Sequence, residues 1–460
     1  MSAREERRSD PQLPKETPLA RSVAVTYGLP SVGFGFTGLI FIIFLMKFST
    51  DVLFIAPAVM GTLIAFSRLW DAISDPMVGY LSDRTRSRLG RRRSWMLWAS
   101  VPVGFGIWML WSPPLVLTNV ELIFWMAAAL FLYETASTAF FIPYGALGAE
   151  LSRNYHERTR LFGYRHVISA LGLLLGVAAY RFIDQAENTR EAASQVGLLG
   201  AFVVATLCLY TGARLPERAE YQGRGSTALF GSFADVLKNR HARRLLAVYF
   251  IDSFGVASIG MLVPYITQYV LHRPELASSI ILLYFLPQFL FTPLWLRLSR
   301  RYGKKRLWLY SMWATALGFA ALFFVDSGEG LLVWIVPPIL GLAGGCAPIV
   351  APSINADIVD YDEYLTGERK EGAYLAVWNF VRKSAGAVTA LITGWVLQQF
   401  DFRPNQEQTE ATQLALRALF SLTPALCYAI GAIIFMGFDF NETEHSEIRE
   451  SLDRRPSGPN

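Results

Sequence analysis

Long apolar stretches recur along the whole chain, and they constrain the fold more than any other feature. Twelve of them are long enough to cross a hydrocarbon layer about 30 Å thick as α-helices. They cover residues 23–48, 53–82, 94–114, 119–149, 160–182, 195–213, 245–271, 276–299, 307–326, 330–358, 372–400 and 412–438. Of the 460 residues, 53% are hydrophobic and 17% are charged, whereas soluble domains carry about 25% charged residues. The chain is therefore predicted to be an all-α membrane protein with twelve transmembrane helices.

Basic residues concentrate in alternate loops, which indicates the orientation of the helices. Six arginines follow the second span, and further basic residues precede the first span and follow spans four, six, eight and ten. Because loops rich in Lys and Arg remain in the cytoplasm, both termini are predicted to be cytoplasmic, in a bacterial inner membrane. This orientation accounts for the net charge of +5 without a nucleic-acid partner.

One long polar interruption divides the spans into two sets of six. Residues 215–243 are a predicted cytoplasmic linker between bundles at 23–214 and 244–439, with cytoplasmic tails at 1–22 and 440–460. The loop after the second span contains LSDR and then GRRR, and the loop after the eighth span reads LSRRYGKKR. A glycine and basic residues at matching positions of two halves predict parallel repeats, with the substrate site between them near the membrane midplane.

Asp71 and Asp75 are the strongest candidates for a functional site. They lie four residues apart within the second span, so one helix face carries both. An ionised aspartate at the bilayer centre costs about 2.5–3.5 kcal/mol, so the pair requires a cation, a proton or a basic partner. Two such carboxylates suit a small hard cation and equally suit one shared proton. A helix-stabilising pair satisfied by arginines of neighbouring helices is the alternative.

Three segments resemble the glycoside–pentoside–hexuronide:cation symporters of the major facilitator superfamily. They are WDAISDP followed by GYLSDRTRSRLGRRR, the residues from Pro143 to Leu161 around the end of span four, and DIVDYDEYLTGERKEG at 357–372. The resemblance covers residues 22–440 and implies the major facilitator fold, with two pseudo-symmetric six-helix bundles. It also implies that Asp71 and Asp75 coordinate the coupling ion, Na⁺ or H⁺, and that Lys383 lies near the ion and the substrate.

The sequence departs from the sugar-transporting members of that family at two acids. Gly35 stands where the first helix of melibiose-type members carries an acid, and Phe141 stands near the place of an acid in the fourth helix. Arg165 lies near the family's sugar-binding arginine, one residue out of register. The residues implied for the cation therefore match the family more completely than those implied for the sugar.

Several other polar residues inside the spans are candidates for the site. Lys383 lies too far from either interface for its side chain to reach water easily, and we predict that it is a counter-charge to Asp71 and Asp75 or to an anionic substrate group. Further predicted substrate contacts are Arg165, Asn379, Trp378 and Tyr27. The remaining intramembrane acids, Glu134 and Asp252, are either functional or involved in helix packing.

Charged residues at the cytoplasmic helix ends are predicted to form a breakable ion-pair network that closes an inner gate. They are Asp83, Arg84, Arg88, Glu150, Arg158, Asp357 and Arg369. Contacts present in only one state fit alternating access by two rocking halves. The alternative is that these charges only set the topology.

These features predict a secondary active transporter that couples symport of a small polar solute, with a sugar, glycoside or uronate favoured, to Na⁺ or H⁺. The sequence contains no nucleophile–base arrangement and no metal-ligand spacing, so neither an enzyme activity nor a cofactor is predicted. The expected partners are the solute, the monovalent cation and the lipid bilayer, with the monomer as the working unit. The alternatives are a lysolipid or other amphiphile carrier, and a membrane sensor or scaffold that does not transport.

Overall fold

The computed structural model describes residues 19–151, 155–217, 236–324, 331–367, 371–440, 447–448 and 450–451. The helices before the predicted linker are α1 (Arg21–Gly28), α2 (Pro30–Lys47), α3 (Pro57–Arg84), α4 (Arg91–Trp111), α5 (Asn119–Glu150), α6 (Tyr155–Asp184) and α7 (Thr189–Arg214). Those after it are α8 (Arg240–Tyr269), α9 (Leu276–Leu290), α10 (Thr292–Tyr302), α11 (Lys304–Leu322), α12 (Leu332–Gly344), α13 (Ala347–Thr366), α14 (Glu371–Gln399), α15 (Glu410–Arg417) and α16 (Thr423–Met436).

These helices account for the twelve predicted spans in order, and four spans are built from two pieces. The pairs are α1 with α2, α9 with α10, α12 with α13, and α15 with α16. The α9–α10 pair bends by 52°, and Pro287 and Pro293 flank the break. Proline removes a backbone donor and clashes with the preceding turn, so it is the physical cause of this bend.

Within the described residues, seven helices or helix pairs are long and apolar enough to cross a membrane, and the bent α9–α10 pair brings the number to eight. Helices α3, α4, α11 and α14 are not among them, and of these four α3 and α14 carry charged residues in their middles: Arg68, Asp71, Asp75, Arg382 and Lys383. Charges at that depth must meet a partner or water. The charges in the middle of α3 and α14 thus mark these two helices as the place to look for a site.

The helices before the linker pack mainly on one another, and so do those after it, so the chain forms a first half and a second half. The main contacts between the halves are made by α3 with α14, α2 with α8, and α6 with α9. Helices α3 and α14 approach closely because small residues face each other: a Cβ atom added to Gly61 would lie 2.5 Å from the Ala390 carbonyl oxygen.

The two ends of the bundle differ in charge, and we name them accordingly. The basic end contains the arginine-rich segment that joins α3 to α4, and the opposite end contains the segment that joins α2 to α3. The predicted linker at 215–243 falls mostly outside the described residues, and α8 already begins at Arg240. Arg369 and the side chain of Arg158, both predicted gate residues, also lie outside the described part of the chain.

Candidate functional site

One face of α3 carries three charged residues at mid-depth. Arg68, Asp71 and Asp75 are three and four residues apart, which places them on the same side of the helix. The helical rise of 1.5 Å per residue puts Asp71 roughly 20 Å from each end of α3. Its side chain is buried, with 4% of the residue exposed. Ionised carboxylates in this position need compensating charge.

Lys383 of α14 supplies part of that charge from the other half of the molecule. Its Nζ atom lies 2.7 Å from Asp71 Oδ2 and also donates a hydrogen bond to Asp75 Oδ2. One ammonium group therefore holds the second oxygen of both carboxylates. Because α3 and α14 belong to different halves, this contact joins the halves at the centre of the membrane.

Thr138 of α5 meets the other oxygen of each carboxylate. Its hydroxyl lies 3.0 Å from Asp75 Oδ1 and forms a second hydrogen bond with Asp71 Oδ1. A threonine hydroxyl carries one proton, so it cannot donate fully to both carboxylates at once. The three oxygens thus form a small oxygen-lined site that can accept a further proton or a cation.

A second ion pair lies beside this site. Arg68 Nη1 is 3.1 Å from Glu134 Oε1, and Glu134 lies one helical turn from Thr138 on α5. The Arg68 guanidinium also lies over the Phe41 ring, 5.0 Å from its centroid, which is favourable for a cation. The cluster thus contains the acids Asp71, Asp75 and Glu134 and the bases Arg68 and Lys383. Three negative and two positive groups leave a formal charge of −1.

A comparison with protein families identifies the architecture around this cluster. Residues 26–442 match the family described as MFS/sugar transport protein. The chain belongs to this family. The match confirms the family predicted from the sequence motifs.

Individual relatives and a solved structure agree with this assignment. The chain is 26% identical over 399 residues to the inner membrane symporter YicJ of Escherichia coli (strain K12), covering 85% of the chain and 86% of the relative. It is 25% identical over 411 residues to the isoprimeverose transporter of Lactiplantibacillus pentosus, covering 87% of the chain and 85% of the relative. The fold is similar to the crystal structure of the nucleoside transporter NupG, with a TM-score of 0.67 and 15% identity. The match covers 91% of this chain and 100% of the NupG chain.

Two of the predicted substrate contacts are buried in aromatic packing. Tyr27 is fully buried, and its ring stacks on Tyr144 at a centroid distance of 4.5 Å. Trp378 stacks on Tyr249 of α8 at 3.7 Å. The structure therefore places both aromatic rings within the packing of one half each, and their contact with a solute stays a prediction.

The remaining candidates have different surroundings. Arg165 of α6 lies over the Tyr144 ring at 5.0 Å, whereas Asn379 of α14 is exposed. Asp252 of α8 is buried and accepts a hydrogen bond of 3.1 Å from the Tyr428 hydroxyl. Of the two further acids named from the sequence, Glu134 thus belongs to the charged cluster and Asp252 has its own partner in the second half.

Ion pairs at the basic end connect helices of the same half. Glu150 accepts a 2.8 Å hydrogen bond from Arg91, and Arg92 forms ion pairs with Asp83 and Glu150. In the second half, Lys304 Nζ lies 2.6 Å from Asp357 Oδ2. The partners of Asp83 and Glu150 are thus Arg91 and Arg92. Two of the four arginines predicted for this network have other surroundings: Arg84 lies over the Tyr80 ring, and Arg88 is exposed.

The halves are bonded to each other at the opposite end, by residues that the sequence did not single out. Asp51, in a π-helical turn at Phe48–Val52, accepts a 2.6 Å hydrogen bond from the Tyr269 hydroxyl. Asn405 donates to the Asp51 backbone carbonyl at 2.7 Å, and the Thr50 and Tyr265 hydroxyls are 2.7 Å apart. We call these five hydrogen-bonded residues the opposite-end latch: Thr50, Asp51, Tyr265, Tyr269 and Asn405.

Contacts between the halves are therefore found at mid-depth and at the opposite end. Toward the basic end, α10 has no buried residue along Thr292–Tyr302, and the ion pairs described above stay within one half. The side chains of Asp75 and Lys383 keep 18% and 14% of their surface exposed. This arrangement corresponds to a state in which the central site is closed from the opposite end and open toward the basic end.

Proposed function

We propose that the protein is a secondary active transporter that couples movement of a small polar solute to Na⁺ or H⁺. The observation that carries the proposal is the convergence of Asp71 Oδ1, Asp75 Oδ1 and the Thr138 hydroxyl around one available proton. We assign the coupling ion to this group of oxygens, which we call the ion site. Carboxylate and hydroxyl oxygens are suitable ligands for a hard cation, and a shared proton would satisfy the same atoms.

The charge of the surrounding cluster supports a monovalent ion. With a formal charge of −1, the cluster becomes neutral when it takes one Na⁺ or one H⁺. A neutral cluster is less costly to keep in a low-dielectric environment than a charged one. Loading the ion would therefore favour rearrangement of the halves, whereas the empty site would resist it.

Lys383 connects ion binding to the movement of the halves. Its ammonium group holds the Oδ2 atoms of Asp71 and Asp75, while the ion site uses their Oδ1 atoms. An ion bound to these carboxylates would weaken their attraction to Lys383. Since that attraction joins α3 to α14, the ion would change the relative stability of two arrangements of the halves, which is the requirement for coupling.

Orientation and substrate class complete the proposal. We assign the basic end to the cytoplasm of a bacterial inner membrane, because basic loops remain on that side. The state described here would then be open to the cytoplasm.

The description of the family as sugar transport proteins and the name of the isoprimeverose transporter support a sugar, glycoside or uronate as solute. A scaffold without transport activity would have no need of a charged cluster at mid-membrane.

The test is ion-dependent stabilisation of the purified protein in detergent. Melting would be followed in Na⁺, Li⁺, K⁺ and choline salts at several pH values, for wild type, Asp71→Asn and Asp75→Asn. A ligand at a hundred times its Kd stabilises the folded state by about 2.7 kcal/mol. We expect a Na⁺-specific or pH-dependent stabilisation in wild type that both variants lose. Asp252→Asn removes another buried acid and serves as the matched control, which should keep the effect.

The condition that stabilises wild type identifies the coupling ion. Stabilisation by Na⁺ at fixed pH would indicate a sodium site, and stabilisation by low pH alone would indicate a proton site. Equal responses of wild type, Asp71→Asn and Asp75→Asn to every salt and pH would contradict the assignment of the ion site.

A further inference from the structure

Arg382 is an intramembrane charge that the ion site does not use. It precedes Lys383 on α14 and lies roughly 17 Å from the start of that helix and 26 Å from its end, at 1.5 Å per residue. Successive residues of a helix point about 100° apart, so Arg382 cannot share the contacts that Lys383 makes with α3. Its side chain is exposed. An arginine at this depth that faced lipid would be strongly disfavoured, so Arg382 faces a water-accessible space.

No acidic residue neutralises Arg382 in the part of the chain that the structure describes. The carboxylates of the neighbouring cluster are engaged by Lys383 and Arg68, and Asp252 is bonded to Tyr428. Arg165, the other intramembrane arginine outside the cluster, contacts the Tyr144 ring and likewise has no acidic partner among the described residues. Functional intramembrane charges are normally paired, so an unpaired, accessible arginine indicates a partner that arrives from outside.

The face of α14 around Arg382 borders open space on one side, whereas on the other side Trp378, four residues before it, stacks on Tyr249. Asn379 lies three residues before it on the same face and is exposed. Gly386 lies four residues after it, and a Cβ atom added there would meet nothing within 4 Å. One strip of α14, next to the face that contacts α3, therefore carries the guanidinium of Arg382, the amide of Asn379 and, at Gly386, no side chain. This strip has the donors that a polar solute requires and the room to admit it.

A face of the first half that adjoins Thr138 is aromatic and uncharged. On α5, Phe141 and Gly145 continue the face that carries Thr138 toward the basic end. The Phe141 ring lies 4.2 Å from that of Phe34 on α2, and a Cβ atom on Gly145 would meet nothing within 4 Å. The sequence of α2 contains no acid, and that of α5 contains none between Glu134 and Glu150. This wall offers packing to a ring and carries no acid.

We propose that the solute is an organic anion, and that Arg382 binds its carboxylate or sulfonate group. The inference rests on the proposed transport function and names the substrate class for the same central site. Arginine presents paired N–H donors that match the two oxygens of such a group. Asn379 supplies a further hydrogen bond, and the Phe34–Phe141 wall packs against the carbon skeleton. The bound ion neutralises the carboxylate cluster while the bound anion neutralises Arg382, so the fully loaded transporter carries no uncompensated charge at either place.

The test compares solutes that share one sugar ring and differ only at carbon six. Glucose is neutral there, glucuronate carries a carboxylate, and 6-deoxy-6-sulfoglucose carries a sulfonate. Binding would be measured by calorimetry on purified wild type, Arg382→Gln and Arg382→Lys, in the salt and pH that stabilise wild type most. Arg300→Gln, which removes an exposed arginine near the basic end of α10, is the matched control.

We expect at least one of the two anions to bind wild type and Arg300→Gln at least ten times more tightly than glucose does. Arg382→Gln should lose this preference, and Arg382→Lys should retain part of it. Equal or tighter binding of glucose, no binding of either anion, or an unchanged preference in Arg382→Gln would overturn the proposal.

Ion-dependent stabilisation without any solute separates this inference from the proposed function. Arg382→Gln should keep the wild-type response to ions, which also shows that the variant folds. If wild type binds the anions through Arg382 but shows no ion response, the symport assignment fails and the substrate class holds. If the ion response is normal and the anion preference is absent, the symport assignment holds and the substrate class fails.

Discussion

The Tyr269 hydroxyl donates a 2.6 Å hydrogen bond to Asp51 Oδ2 across the boundary between the two halves. Both residues are buried, with 3% and 5% of their surface exposed. Asn405 donates its backbone N–H to the same tyrosine oxygen at 3.0 Å. The opposite-end latch is therefore a buried and specific network. A state that opens at this end must break it.

Removing the latch hydroxyl should shift the population toward opening at the opposite end. A hydrogen bond to a charged group is worth about 1.5–3 kcal/mol, so Tyr269→Phe should change the ratio of the two states about ten- to a hundred-fold. A cysteine at Gly38, in a background without the native cysteines, reports the change. A membrane-impermeant thiol reagent applied from the opposite end should label it faster in Tyr269→Phe.

Tyr180→Phe is the matched control for that experiment. Tyr180 is fully buried, and its hydroxyl has no hydrogen-bond partner among the described residues. Its removal should leave the labelling rate at the wild-type value. Equal labelling of the Tyr269 and Tyr180 variants would show that the latch does not hold this end closed.

Close packing of α3 and α14 near the opposite end makes a second, independent prediction. A Cβ atom on Gly394 would overlap the Pro57 carbonyl oxygen, so Gly394→Ala should force the helices apart. Overpacking of this kind costs about 1–3 kcal/mol. We expect faster labelling of the cysteine at Gly38 from the opposite end, with Gly145→Ala, placed in open space, as control. Wild-type labelling of Gly394→Ala would mean that this contact also exists in the open state.

The sequence predicted the helices and one face of the site, and the reasons are local. Apolar length identifies a membrane helix, and a spacing of four residues places Asp71 and Asp75 together. Arg68 was missed although it continues that spacing by one more turn, and Thr138 was missed although it lies four residues from Glu134. Both could have been found by extending the charged faces of the two helices.

The opposite-end latch was not predictable in the same way. Asp51 and Tyr269 are 218 residues apart, and the apolar pattern ended the first span at residue 48, which left Asp51 in a loop. In the structure a π-helical turn continues the helix to Val52 and brings Asp51 into the interface. Such a turn has no apolar period that marks it. At the basic end, Asp83 and Glu150 pair with Arg91 and Arg92, which the sequence did not single out, because pairing there depends on where α4 begins.

Ion affinity should depend on the formal charge of the whole cluster, which includes residues outside the ion site. Glu134→Gln changes the total from −1 to 0, and a unit charge at roughly 8 Å contributes about 2 kcal/mol at an effective dielectric constant near 20. It also frees Arg68 to turn toward Asp71, three residues away on the same face. We therefore expect ion affinity, measured by stabilisation against ion concentration, to fall at least ten-fold.

Glu134→Asp preserves the charge and is the control for that measurement. It should retain most of the affinity, because the guanidinium of Arg68 still has a carboxylate to pair with. If Glu134→Gln instead binds the ion as tightly as wild type, ion affinity depends only on the direct ligands and not on the total charge of the cluster.

The ion pairs of Lys383 with Asp71 and Asp75 should be measurable as an interaction energy in the stability of variants. Lys383→Met removes the ammonium and leaves a cluster of formal charge −2, and breaking a buried pair in this way costs about 3–5 kcal/mol. Sodium or low pH should restore more stability to this variant than to wild type, because either can neutralise the carboxylates that have lost their counter-charge. The measurement is the unfolding midpoint in choline and sodium salts over a range of pH.

The double variant Asp75→Asn/Lys383→Met decides how the coupling is interpreted. It returns the formal charge to −1, so it should be more stable than Lys383→Met alone, with an interaction energy within about 0.5–3 kcal/mol. It should nevertheless fail to accumulate solute, since we assign Asp75 to the proposed ion site and Lys383 links α3 to α14. Additive losses of stability in the two single variants would contradict a direct pair. Retained accumulation in the double variant would show that the link between the halves is not what couples the ion to the solute.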